Sequence, residues 1–134
     1  MATKTSARTN VSSGGAYESI FGYSRAVRAG NDVHVSGTCA PAGHEKSDAY
    51  TQARAALVII EKALGEAGAK TADVVRTVVY VRSDDREALS TVWSVLTASE
   101  VAAAFTSAAT LLGVAQLGYP GQLVEVDVTA VLPA

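Results

Sequence analysis

Two carboxylates two positions apart are the first residues in this chain with the type and spacing for chemistry. From Val124 onward, Val124, Val126, Val128 and Ala130 alternate with Glu125, Asp127 and Thr129. A strict period of two predicts a strand with an apolar face and a face presenting both acids. A carboxylate flanked by apolar residues is suited to act as a general base, drawing a proton from water or from a bound intermediate. That is one reading of Glu125; the other is a strand carboxylate bonded to a neighbouring backbone or to a second subunit. Asp127 reads as structural. Tyr23 offers a phenolic donor to a ligand, or else is a core aromatic with a satisfied hydroxyl. Ser36 has no histidine or acid at a triad spacing, so it reads as a hydrogen-bond donor and not a nucleophile. Cys39, just past Ser36-Gly37-Thr38, is either a reactive thiol or, more simply, a buried inert one. Tyr119 lies in a Gly-Tyr-Pro-Gly turn, as a lid over a neighbouring cleft or as a partly exposed turn residue. His34 is expected to be packed, His44 to be exposed in a loop, and Trp93 to be core.

These residues need elements to hold them. Arg25–Arg28 and Val33–Gly37, separated by Ala29-Gly30-Asn31-Asp32, read as a hairpin whose turn residues supply positive φ. His34, Ser36 and Thr38 are expected on one face of its second strand. A helix is predicted from an N-cap at Ser47 to about Ala67, with Gly68 just beyond it. Its apolar stripe is Ala49, Ala53, Ala56, Leu57, Ile60, Leu64 and Ala67, with Gln52, Arg54, Glu61, Lys62 and Glu66 off it. Val74–Val81 is dense in β-branched residues and reads as a strand. Ser83, Asp84 and Asp85 can cap a second helix carrying Leu89, Val92, Trp93 and Leu96. Ser99–Phe105 fits either a helical turn or a loop. Two last strands, around Ala109–Leu117 and Leu123–Ala130, are expected to form a cleft wall on either side of the Gly118–Gly121 turn. The order β-β-α-β-α-β-β predicts an α/β sheet with helices on one face. The sheet's other face needs a cover, and self-association provides it.

Composition narrows the function. The chain has 134 residues, 49% apolar and 18% charged, consistent with one globular domain over 11–134 after a flexible tail at 1–10. Val11–Ser24 reads as a Gly/Ser-rich loop whose Tyr17, Ile20, Phe21 and Tyr23 pack onto something. A net charge of −2 gives no footprint for nucleic acid or an anionic membrane. No run approaches the roughly 20 apolar residues of a membrane span. The N-terminus lacks the apolar core of a secretory signal, so a cytoplasmic location is expected. One cysteine excludes an intrachain disulfide, and no metal-ligand spacing or phosphate-cradling glycine motif points to a metal or cofactor.

The segments FGYSRAVRAGNDVHVSGTCAP (21–41), ALGEAGAKTADVVRTVVYV (63–81) and ATLLGVAQL with LVEVDVTAV (109–131) together resemble the Rid family, also called the YjgF family. Order, spacing and length agree from about Asn10 onward. The resemblance implies a chorismate-mutase-like α+β fold. It also implies a homotrimer whose sheets form a central barrel, with three small-molecule clefts between subunits and no cofactor.

The best-known members hydrolyse reactive 2-imino or enamino acids, and an arginine in a Pro-Ala-Arg-Ser/Thr motif clamps the substrate carboxylate. Here the aligned residues are Ser107-Ala108-Ala109-Thr110, so Ala109 stands where the family has arginine, followed on that face by Leu111 and Gly113. Tyr23, Ser36 with Gly37, and Glu125 match the family's pocket positions. Thr38, Cys39, Ala109, Leu111 and Tyr119 complete the expected lining. Losing the clamp costs about 2–5 kcal/mol of carboxylate binding when the anion goes unpaired. The resemblance therefore points away from ordinary 2-imino acid deamination. It points to a neutral imine, enamine or carbonyl intermediate that is hydrolysed, tautomerised or cyclised. Two alternatives remain: a binding trimer without turnover, and a deaminase with another clamp, such as Arg25 or an arginine of a second subunit.

Overall fold

The computed structural model describes residues 8–133. A single six-stranded sheet, in the order β1-β2-β3-β6-β4-β5, carries the molecule. Its strands are β1 (Arg8–Val11), β2 (Ala26–Ala29), β3 (Asp32–Thr38), β4 (Val74–Arg82), β5 (Ala108–Val114) and β6 (Val124–Val131). The helices are a short α1 (Ala16–Phe21) and two long ones, α2 (Ala49–Glu66) and α3 (Arg86–Thr97). This is the expected α+β layout, with two long helices packed against one face of the sheet.

The inner face explains itself by period. Val124, Val126, Val128 and Ala130 of β6, and Val79 and Val81 of β4, are all at most 2% exposed and meet Leu57, Ile60, Leu64, Val92 and Leu96 of the helices. The hairpin β2–β3 turns at Gly30, whose φ of +59° suits glycine. Asp48, not Ser47, caps α2: its carboxylate accepts from the Thr51 amide at 2.8 Å. Asp85 caps α3 in the same way, through the Glu87 amide at 3.0 Å. Ser99–Phe105, open in the sequence, ends in a 3₁₀ turn over Ala102–Thr106 that buries Phe105 edge-on against Trp93, with ring centroids 5.9 Å apart.

Four expectations need correction. Arg8–Asn10, placed in the tail, pair antiparallel with β2 as part of β1; the rest of that tail, 1–7, lies outside the described residues. An edge strand of Arg-Thr-Asn carries no apolar alternation, so the sequence gives no strand signal there. Val11–Ser24 is not all loop but contains α1, and Ile20 and Phe21 stay 66% and 73% exposed in the single chain. Gln52 lies on the buried stripe of α2, 0% exposed, one turn before Ala56. The last two strands are not neighbours. β5 runs parallel to β4 after the α3 crossover, while β6 inserts antiparallel between β3 and β4. A parallel partner needs a long crossover, and α3 supplies it, which carries β5 to the sheet's edge.

Candidate functional site

The sheet face opposite the long helices presents Glu125, Asp127 and Thr129 of β6 beside Tyr80, Val78 and Arg76 of β4. The Tyr80 hydroxyl donates to Asp127 Oδ2 at 3.0 Å, so Asp127 is engaged structurally, as expected. Burial first, then this bond to an anion, pushes the Tyr80 phenol up from its ordinary value.

Glu125 stands at the end of this face, where β3 breaks its regular ladder. Pairing of β3 with β6 shifts between Val35 and Thr38, a bulge at Ser36-Gly37. The extra residue changes the phase of the strand. Thr38 is therefore buried, 1% exposed, instead of sharing the face of His34 and Ser36. Ser36 turns its hydroxyl onto the Ser24 carbonyl at 2.7 Å. Gly37 leaves the opening that Glu125 fills: a Cβ on Gly37 would come 2.5 Å from Glu125 Oε2. On its other side Glu125 Oε1 accepts from the Gln122 side-chain amide at 3.2 Å.

Arg25 braces the same corner from below. Only 7% exposed, it donates from Nη1 to the Gly37 carbonyl at 2.8 Å and to Thr38 Oγ1 at 2.9 Å. Nη2 donates to the Tyr23 hydroxyl at 3.1 Å, and Nε faces Glu18 Oε2 at 3.8 Å. Glu18, 6% exposed, also accepts from the Ser13 and Gly15 amides, each at 3.0 Å, and from the Ser13 hydroxyl. Burial alone would raise the Glu18 carboxyl, but the Ser13 and Gly15 bonds and Arg25 outweigh it and hold the group below its ordinary value. A guanidinium so committed is a strut. It is not a free clamp for a substrate carboxylate.

Tyr119 closes the third side. Its hydroxyl donates to the Ala40 carbonyl at 3.1 Å, and its ring stands 6.3 Å from that of Tyr17, which is 5.8 Å from Phe21. Burial, together with the Cys39 thiol beside it, pushes Tyr119 up to about 12. Cys39 is half-buried, and burial followed by the Glu125 charge raises its thiol, so it is held protonated near neutrality.

One chain thus gathers Tyr23, Gly37, Cys39, Tyr119 and Glu125 around the bulge, with the Ser36 hydroxyl bonded to Ser24 and Thr38 turned to the buried side. It does not bring Ala109 and Leu111 to them. β4 stands between β5 and β6, and Ala109 and Leu111 are in register with Thr77 and Val79, on the helix side of the sheet. His34 is exposed on the open face, and His44, expected to be exposed, is half-buried with Nδ1 3.0 Å from the Pro41 carbonyl. Gln122 and Glu18 were missed as parts of the site. Gln122 shares the parity of Val124 and Val126, so a polar residue on the buried face was the available signal. Among the described residues no helix is long and apolar enough to cross a membrane. Two shallow depressions lie on the helix layer, around Arg54, Val58 and Glu100 and around Tyr50, Thr91 and Val95; neither includes Tyr23, Gly37 or Glu125.

A mixed sheet with two long helices on one face and a carboxylate held at a strand bulge on the other defines a small α+β protein of the Rid type. The family model described as Endoribonuclease L-PSP matches residues 14–132, and the chain belongs to this YjgF/Rid family. It is similar to a crystal structure of a YjgF/YER057c/UK114 family member from Mycobacterium tuberculosis, at 42% identity over 93% of this chain and 99% of that one, TM-score 0.80. A YjgF family member from Neisseria meningitidis is 26% identical over 95% and 96% of the two chains, TM-score 0.71. A Rid family protein from Yersinia pestis, 23% identical over 93% and 99%, shares the fold with a TM-score of 0.76. No curated protein matches the chain.

Proposed function

We propose that this protein is a cytoplasmic homotrimer that binds and transforms a small, reactive, carboxylate-free intermediate: a neutral imine, enamine or carbonyl compound. The observation that carries this reading is the Glu125 carboxylate lodged at the Gly37 bulge, which Arg25 ties to Tyr23, in a chain with alanine at position 109. The guanidinium that braces this corner, Arg25, is spent on Gly37, Thr38 and Tyr23. The site therefore offers proton handling and a phenolic donor, with no clamp for an anion.

For an imine, the step is water addition. The water oxygen bonds to the imine carbon as Glu125 takes its proton. Glu125 returns that proton to nitrogen, which gives the carbinolamine. It then takes the carbinolamine O–H proton and passes it to nitrogen as the C–N bond breaks, so an amine and a carbonyl product leave and the carboxylate is restored. Tyr23 would hold the nitrogen or oxygen of the reacting group. In the trimer, the β5 edge of one subunit, with Ala109 and Leu111, forms the wall facing the Glu125 corner of the next. The open sheet face, lined by Val78, Tyr80 and Leu112, becomes the barrel interior. An RNA substrate, which the family model's description names, fits poorly with a net charge of −2.

The test is hydrolysis of a neutral imine such as N-benzylidenemethylamine by wild type and Glu125→Gln, with mass by light scattering. Acceleration lost in the variant, by a particle three times the 13.7 kDa chain, supports the reading. A monomer mass contradicts the shared cleft.

A further inference from the structure

Resting on the reading of Glu125 as the proton-handling group, we infer that Gln122 is a positioning residue. A single buried amide sets the direction of the Glu125 carboxylate and ties it to the turn that carries Tyr119.

The Gln122 side chain is 1% exposed, so each of its polar atoms needs a protein partner. It has them. Nε2 donates to the Val124 carbonyl at 3.3 Å and to Glu125 Oε1 at 3.2 Å, and Oε1 accepts from the Gly118 amide at 2.8 Å. The orientation is forced. Turning the amide over would set its oxygen against a carbonyl and a carboxylate, and its NH₂ against a backbone N–H. Both hydrogens of a primary amide are used, which pins Glu125 Oε1 and leaves Oε2, the oxygen over Gly37, turned to the bulge.

The turn itself is held from its far side by a second buried amide. Gln52 of α2 accepts from the Leu123 amide at 2.8 Å and donates to the Gly121 carbonyl at 2.8 Å. Gly121 has a φ of +90°, and a Cβ there would strike the Glu45 carbonyl, so this turn has one tight conformation. Gln52 fixes the turn to the helix layer, and Gln122 fixes the same turn to Glu125. Tyr119, between Gly118 and Gly121, is thereby set at a constant distance from the carboxylate. A chemical role requires that constancy: a base misplaced by even 1 Å loses much of its effect.

The experiment compares wild type, Gln122→Met and Glu125→Gln. Methionine keeps the volume and removes the amide's donors. Two readouts are taken: amide hydrogen exchange at Gly118, with Val79 and Val126 as controls for the fold, and kinetics on N-benzylidenemethylamine. In Gln122→Met, Gly118 exchange should rise about tenfold, the loss of one hydrogen bond, while Val79 and Val126 stay protected. On the imine, kcat should fall about tenfold with KM within twofold, because a misdirected base weakens the transition state and not ground-state binding. Wild-type Gly118 exchange in a folded Gln122→Met protein overturns the inference, as does a loss expressed in KM alone. If Glu125→Gln turns over the imine like wild type, the proposed function fails instead, and Gly118 exchange alone then decides whether Gln122 holds the turn.

Discussion

The Glu125 carboxylate and the Gly37 α-carbon occupy adjoining space with no room for a methyl group between them: a Cβ on Gly37 would lie 2.5 Å from Oε2 and 2.8 Å from the carboxyl carbon. Gly37→Ala must therefore push Glu125 off its seat or open the β3 bulge. We predict a loss of about 1–3 kcal/mol in a urea titration, the cost of overpacking, together with loss of imine turnover comparable to Glu125→Gln. A fully active Gly37→Ala protein would show that the carboxylate position does not matter.

Arg25 is the buried cation of the corner, and its removal takes a donor from the Gly37 carbonyl and from Thr38 Oγ1 and leaves the buried Glu18 carboxylate without its ion-pair partner. Arg25→Met should cost about 3–5 kcal/mol, the range for breaking a buried pair from one side. Arg25→Lys should recover only part of it, because a single ammonium cannot reach Gly37, Thr38 and Tyr23 together. Chemical denaturation of the three proteins checks the order.

Glu18 gives the pH dependence. Its folded carboxyl lies below the ordinary value of 4.5, despite burial, because of Ser13, Gly15 and Arg25. A depressed acid contributes stability that is present above its unfolded pKa and lost as pH falls through its folded one. Between neutrality and about pH 5 the thermal midpoint should be unaffected by this group, and below about pH 4.5 it should fall. In Glu18→Gln the midpoint should start lower at pH 7 and fall less steeply below pH 4.5. Parallel melting curves for the two proteins across pH 3–7 would remove Glu18 from the account.

Much of this was readable in the residues. The β6 alternation, the β2–β3 hairpin and both long helices follow from period and caps, and the family pattern is what singles out Tyr23, Gly37 and Glu125 as candidates. The strand order did not follow, because β5 and β6 are adjacent in sequence and only the α3 crossover decides that β4 separates them. Nor did the bulge at Ser36-Gly37, which moves Thr38 to the buried side without leaving a mark on the local pattern. Gln52 and Gln122 read as polar surface by type, yet they are among the most buried side chains. Gln52 is satisfied by Gly121 and Leu123, backbone groups of a distant turn that no local window contains. Gln122, in contrast, is satisfied within four residues, by Gly118, Val124 and Glu125, through a turn geometry that leaves no periodic mark.

Position 109 tests the claim about substrate class from the other direction. Ala109 is exposed on the edge strand β5, so an arginine can be accommodated there. Ala109→Arg should leave stability within about 0.5 kcal/mol and should confer ammonia release from enzymatically generated 2-imino acids that the wild type lacks. No gain from a folded Ala109→Arg trimer would mean that this edge does not face the Glu125 corner of a neighbour.

The most direct measurement sets the two substrate classes side by side: wild type and Glu125→Gln, each assayed against N-benzylidenemethylamine and against a 2-imino acid formed in place by an amino-acid oxidase. The account predicts acceleration of the neutral imine by wild type, its loss in Glu125→Gln, and no release of ammonia above background from the 2-imino acid. Rapid 2-imino acid hydrolysis by wild type, or neutral-imine turnover that survives Glu125→Gln, would contradict it.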